Sequence, residues 1–264
     1  MEVVSSADGT RIAFERTGTG PALVLVAGAF GDHKARVAGT PLATLLASIR
    51  TVTSYDRRGR GQSTDTAPYA VAREIEDLAA LIAVAGGTAE VYGHSSGAVL
   101  ALEAALEGVP IGRLALYEPP LIAGTGRAVP PPDFAEQLAA LCRLGRLGDA
   151  AELFLVVGVG LPASAVTRMR TSPRWAAMER LAPTLAYDAT LIGRPEAASI
   201  RDRAAALATP TLVIDGAASP PWARAAVRAL AEALPHASSR SLAAQTHDVD
   251  PGALAPLLAA FFAP

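Results

Sequence analysis

Cysteine is nearly missing: Cys142 stands alone in 264 residues, so the chain can build neither a disulfide framework nor a cysteine-based zinc cluster within itself. A lone thiol of this kind packs as a small hydrophobe. Charge is also scarce, at 18% of residues against roughly 25% in an average globular chain. The 23 basic and 25 acidic residues nearly cancel, leaving a formal charge of −2, which excludes the basic footprint of a general nucleic-acid binder. Among the basic residues only Lys34 is lysine, a bias that reads as genome composition rather than chemistry. No uncharged apolar run reaches the length of about 18 residues needed to cross a bilayer. The opening Met1-Glu2-Val3-Val4-Ser5 lacks the basic region and apolar stretch of a signal peptide. The expectation is a soluble, cytoplasmic protein with a small-molecule partner, no nucleic acid and no membrane. No cofactor and no metal are implied, and a homodimer through an apolar surface stays open.

Apolar residues are abundant, at 51%, and the length suffices for one large α/β domain or at most two small ones. Runs at Arg11 to Arg16, Ala22 to Ala27, Thr51 to Tyr55, Ala89 to Tyr92, Leu114 to Tyr117, Thr211 to Asp215 and Ser238 to Leu242 read as strands. The central ones are almost wholly apolar, as in strands buried on both faces of a mostly parallel sheet. Helical patterns at Glu74 to Val84, Ser96 to Leu106 and Pro220 to Leu234 alternate with them. At the end of the chain Asp250 is placed to cap a helix that Pro251 begins, with Leu254, Leu257, Leu258, Phe261 and Phe262 on one face. From Pro119 to Pro210 no strand is evident, only helix-like pieces broken by proline and glycine. The predicted organisation is a core of residues 1–118 and 209–264, with a helical insertion over 119–208.

Chemistry concentrates where a strand gives way to a helix, at Tyr92-Gly93-His94-Ser95-Ser96-Gly97-Ala98. This is G-x-S-x-G in its meaningful context: a strained turn exposes the Ser95 hydroxyl, and Gly93 and Gly97 leave room for crowding backbone. The free N–H groups of the following helix favour developing negative charge beside Ser95. With this motif and Asp56-Arg57-Arg58-Gly59-Arg60-Gly61-Gln62-Ser63, a D-x-R-G-x-G-x-S turn, the chain resembles the α/β-hydrolase superfamily along essentially its whole length. The turn is mainly structural, with Asp56 and Arg58 tying loops together, and no phosphate cradle accompanies its basic residues. The resemblance implies an α/β-hydrolase fold, with the insertion after the sixth strand acting as a helical cap. It also implies that the amides of Ala29, in Val24-Leu25-Val26-Ala27-Gly28-Ala29-Phe30, and of Ser96 form an oxyanion hole. Ala27 stands where many relatives have histidine.

Family order places the general base late in the chain, and His247, between the last strand and the capped helix, fits. The acid departs from the pattern. In Val213-Ile214-Asp215-Gly216-Ala217-Ala218-Ser219-Pro220, Ser219 occupies the usual carboxylate position, and a hydroxyl cannot neutralise an imidazolium. Glu118, after the sixth strand where a minority of relatives carry their acid, is the favoured replacement, and Asp215 is the second choice. His94 packs beside the elbow, and His236 is solvated. Phe30, His33, His94, Trp175 and Tyr187 are candidates to contact substrate. Phe134, Leu138, Leu141, Phe154, Leu161 and Met178 join Trp175 and Tyr187 as cap residues able to line an apolar pocket. Arg168, Arg170, Arg174 and Arg180 read as a solvated face that could also meet an anion. The expected function is a serine hydrolase of a carboxylic ester, thioester or lactone. The alternatives are carbon–carbon hydrolysis, perhydrolysis or cyclisation at the same elbow, or a non-catalytic ligand-binding member with an incomplete triad.

Overall fold

A computed structural model describes residues 1–36, 38–121, 126–193, 203 and 205–263. Eight strands form one sheet: β1 (Glu2–Ser5), β2 (Arg11–Thr17), β3 (Ala22–Val26), β4 (Thr51–Tyr55), β5 (Ala89–His94), β6 (Ile111–Tyr117), β7 (Thr211–Gly216) and β8 (Ala237–Leu242). Their spatial order is β1-β2-β4-β3-β5-β6-β7-β8. β1 and β2 run antiparallel to their neighbours, and every pairing from β4 to β8 is parallel. Every strand expected from the sequence is present. β1 was not expected, because its four residues are exposed or half-buried and pair only with β2 at the sheet's edge, which leaves no apolar signature.

The central strands are largely apolar because both faces are covered. Val24 and Val26 join α2 (Val71–Val84), α3 (Ser96–Leu106) and α9 (Pro221–Ala233) on one side. Leu23 and Leu25 alternate with them and pack against α1 (Thr40–Leu46) and α10 (Pro251–Phe262) on the other. α3 is buried on almost every side, which is why its sequence carries no polar face. At α10 the Asp250 side chain accepts from the Gly252 amide, the cap that the sequence predicts.

Between β6 and β7 lie α4 (Phe134–Arg143), α5 (Leu147–Leu153) with a π-helical continuation (Phe154–Val159), α6 (Ala163–Met169), α7 (Trp175–Leu181) and α8 (Leu185–Ile192). No described residue of this insertion is in a strand. Phe134, Leu138, Phe154, Leu185 and Ala189 form a separate apolar cluster, against which Ala29 and Phe30 of the β3–α1 loop pack. The insertion therefore sits on the carboxyl edge of the sheet, over the loop that follows β3. Among the described residues no helix is long and apolar enough to cross a membrane.

Candidate active site

β5 ends at His94 and α3 begins at Ser96, leaving Ser95 on the corner with φ 56° and ψ −124°. A non-glycine residue in this region carries strain of about 1–3 kcal/mol, so surrounding contacts must impose it. They do: the Ser95 amide donates to Tyr117 O at 2.9 Å, and its carbonyl accepts from Ala98 N at 2.9 Å and Val99 N at 3.3 Å. A Cβ on Gly93 would stand 2.6 Å from Ala98 Cα, and one on Gly97 would stand 2.3 Å from Val26 O. These clashes explain both glycines of the motif. The loop after β3 approaches just as closely, since a Cβ on Gly28 would lie 2.9 Å from Ser95 Cβ. Ala29, next in the chain, and Ser96 are thus on the two segments that flank Ser95.

His247 lies in the loop between β8 and α10, and its Nδ1 donates to Glu118 Oε2 at 2.7 Å. That contact leaves Nε2 as the ring's acceptor. Glu118 follows β6 directly, at φ 43°, with its own amide on Ile214 O at 2.9 Å. Its other carboxylate oxygen accepts the Gly216 amide at 2.8 Å. Burial alone would raise this carboxyl's pKa, but the hydrogen bond and charge of His247, with the Gly216 amide, hold it below the ordinary range. Ser219 Oγ is buried near Glu118 without a hydrogen bond of good geometry. Asp215, the second-choice acid, does not reach the imidazole. It accepts from Ser241 Oγ and lies 3.9 Å from Arg224 Nε.

The His247 loop is held from beneath. His94 Nε2 donates to His247 O at 2.9 Å, and Tyr117 Oη donates to Thr246 O at 2.7 Å. The His94 ring sits between those of Tyr117 and His247, with centroids 5.5 and 4.8 Å away. Burial, reinforced by the neighbouring His247, pulls its pKa down to about 3, so His94 is a neutral donor rather than a second base.

The sequence description of the alpha/beta hydrolase family matches residues 23–257. The chain belongs to that family. An alpha/beta hydrolase from Sphaerobacter thermophilus DSM 20745 shares 49% identity over 99% of this chain and 100% of its own, with a TM-score of 0.90. The enol-lactonase from Burkholderia xenovorans LB400 is 20% identical over 98% and 99%, with a TM-score of 0.73. The esterase RhEst1 from Rhodococcus sp. ECU1013 is 21% identical over 98% and 98%, with a TM-score of 0.67. The last two share the fold.

The hydrolase does not bring every expected residue to Ser95. Phe30, at φ 58°, lies on the loop beside it and meets the Phe154 ring edge-on at 5.6 Å. His33 is buried, with Nδ1 2.8 Å from Asp56 Oδ1, and anchors that loop. Trp175 is enclosed with Ala151, Leu155 and Val166, and its Nε1 donates to Glu179 at 2.8 Å. Tyr187 stacks on Tyr69 at 3.8 Å and donates its hydroxyl to Asp65 at 2.5 Å. Arg170 is spent on Asp149 and Glu152, in keeping with a solvated face. An open cavity of about 580 Å³ lies between Arg127, Val129, Val156, Val157, Pro221 and Trp222, and its walls include neither Ser95 nor His247. Among the described residues no group of three or more His, Cys, Asp or Glu is arranged to hold a metal ion.

Sequence reasoning missed a buried ionic cluster beneath the elbow. Arg57, Arg58 and Arg60 are each at most 2% exposed. Arg58 pairs with Asp77 and Asp8, and Asp56 accepts His33 N and Gln62 N, the loop-tying expected of that turn. Arg57 and Arg60 instead converge on Asp188 of α8, at 2.7 and 2.6 Å. The visible signal was three arginines within four positions in a chain poor in charge, but nothing in the spacing linked them to residue 188.

Proposed function

We propose that this hydrolase cleaves a carboxylic ester, thioester or lactone of a moderately apolar small molecule through an acyl-enzyme on Ser95. The observation that carries the reading is the 2.7 Å bond from His247 Nδ1 to Glu118, on a loop anchored beside a strained serine corner. Ser95 Oγ attacks the carbonyl carbon while His247 Nε2 takes its proton, and Glu118 stabilises the resulting imidazolium. The Ala29 and Ser96 amides receive the negative oxygen of the tetrahedral intermediate. Collapse breaks the bond to the leaving group, which regains the proton from His247. Water then repeats the sequence on the acyl-enzyme and frees the acid. The esterase and enol-lactonase of like fold support this choice of bond. The same reading makes a small molecule the partner and the cytoplasm the site of action.

A fluorophosphonate probe and a panel of p-nitrophenyl acyl esters test it. Wild type is expected to label and to turn over at least one short acyl ester, and Ser95→Ala to do neither. Equal labelling of the two proteins overturns the assignment of Ser95. Absence of both labelling and turnover in wild type favours a ligand-binding member of the family.

A further inference from the structure

We infer that Arg60 and Asp188 are positioning residues of the oxyanion hole, one salt bridge fixing the direction of both amides proposed to receive the charge. The inference rests on the acyl-enzyme reading above and adds residues to it. Arg60 Nη1 donates to Gly28 O at 2.7 Å and to Gly31 O at 3.1 Å. A trans peptide is planar, so its C=O and the next residue's N–H point in opposite directions. Anchoring Gly28 O on one side of the loop therefore aims the Ala29 N–H to the other. The same guanidinium gives Nη2 to Asp188 Oδ2 at 2.6 Å and Nε to Thr184 Oγ1 at 3.0 Å, so its fork cannot rotate.

The second amide is held by the same carboxylate. Ser96 Oγ donates to Asp188 Oδ1 at 2.7 Å. The Ser95 carbonyl is already taken by Ala98 and Val99 within α3, which turns the Ser96 N–H out of the helix end. The hydroxyl tie to Asp188 then fixes that first residue sideways. Asp188, wholly buried, comes from the insertion, so a helix outside the core sets the angle between two core loops.

Electrostatics agree with a role in geometry rather than in charge. A lone carboxylate under the elbow would repel an oxyanion. Asp188 is matched by Arg60 and Arg57, and Arg57 is also gripped by Glu74 through two bonds of 2.6 Å. Two guanidiniums and two carboxylates cancel, leaving a neutral, fully paired bracket.

The test measures the rate at which a fluorophosphonate phosphonylates Ser95, since its P=O oxygen occupies the same two donors, alongside kcat and KM for p-nitrophenyl butyrate. Ser96→Ala keeps the backbone amide and removes only the tie. We expect its phosphonylation rate and kcat to fall about tenfold, a fraction of the ~10²–10³ lost with a whole donor, with KM within about twofold of wild type. Ser96→Thr, which restores a hydroxyl, should recover most of the rate. Arg60→Lys keeps the charge but cannot span Gly28, Gly31, Thr184 and Asp188 together, and should lose about 10²-fold in kcat. If Arg60→Lys does not fold, Ser96→Ala and its rescue decide alone. Wild-type rates in folded Ser96→Ala, or a loss confined to KM, would overturn the positioning role while leaving Ser95 chemistry intact. A wild type that never labels removes the acyl-enzyme reading and this role together.

Discussion

A carboxylate that accepts the Gly216 amide with one oxygen and His247 Nδ1 with the other has no spare freedom, and Glu118→Gln exposes what that arrangement does. The amide NH₂ cannot accept from Nδ1–H, so the imidazole would take the opposite tautomer and lose its acceptor at Nε2. We expect kcat for ester hydrolysis to fall by about 10²–10⁴ with a small change in melting temperature. Asp215→Asn should do the reverse, because Asp215 ties β7 to β8 through Ser241. Activity and melting curves of the two variants check this pair. His94 offers a pH test. Its pKa is lowered from 6.5 to about 3, so the unfolded chain takes up a proton that the folded one refuses. Its contribution to stability is therefore complete above about pH 6.5 and declines as pH falls, by at most about 1.4 kcal/mol per unit. Between pH 6.5 and 5, His94→Gln should melt with a shallower pH dependence than wild type; an equal slope would remove His94 as the cause. At this scale the corner at Ser95 and the partnership of His247 with Glu118 could be read in the sequence because each residue sits at the end of a recognisable strand or beside a capped helix. Asp188 could not, because its role exists only once α8 has folded onto a turn about 130 positions earlier in the chain.

The central elements were legible through their burial. β3, β6 and β7 show apolar runs because helices cover both faces, whereas β1 shows none because it closes an exposed edge. The insertion was recognisable by its lack of strands, but not the inward direction of its side chains: Trp175 and Tyr187 are apolar and aromatic whether they line a pocket or pack elsewhere. The junction of β5 and α3 is the element on which everything else depends, and its tolerance can be measured. At Gly97 a methyl group would press into the Val26 and Ala27 carbonyls, which belong to a central strand and its exit and have no room to retreat. Gly97→Ala should cost about 3 kcal/mol in urea unfolding and abolish labelling of Ser95 even where the protein folds. Gly112→Ala is the control, since its Cβ would meet nothing nearer than 3.9 Å, and should stay within about 0.5 kcal/mol.

For the molecule as a whole, the arrangement of Asp188 predicts that insertion and core unfold together. Leu191 of α8 packs in the same cluster as α2 and α3, while Ala29 and Phe30 of the core pack into the insertion's own cluster. The buried bracket adds a penalty for parting them. Pulling α8 away would leave Arg57 and Arg60 short of a partner in a dry site, at roughly 3–5 kcal/mol for a broken buried pair. An opened state with a folded core and a loose insertion is thus disfavoured beyond the loss of apolar contact alone. The chain carries its own reporters, because its two tryptophans divide between the parts: Trp175 is in the insertion and Trp222 is in the first turn of α9 of the core. In Trp222→Phe and Trp175→Phe, each with one tryptophan left, fluorescence melts should coincide with each other and with the loss of helical circular dichroism. A Trp175 transition several degrees below that of Trp222 would mean that the insertion opens on its own and that the bracket does not bind it to the core.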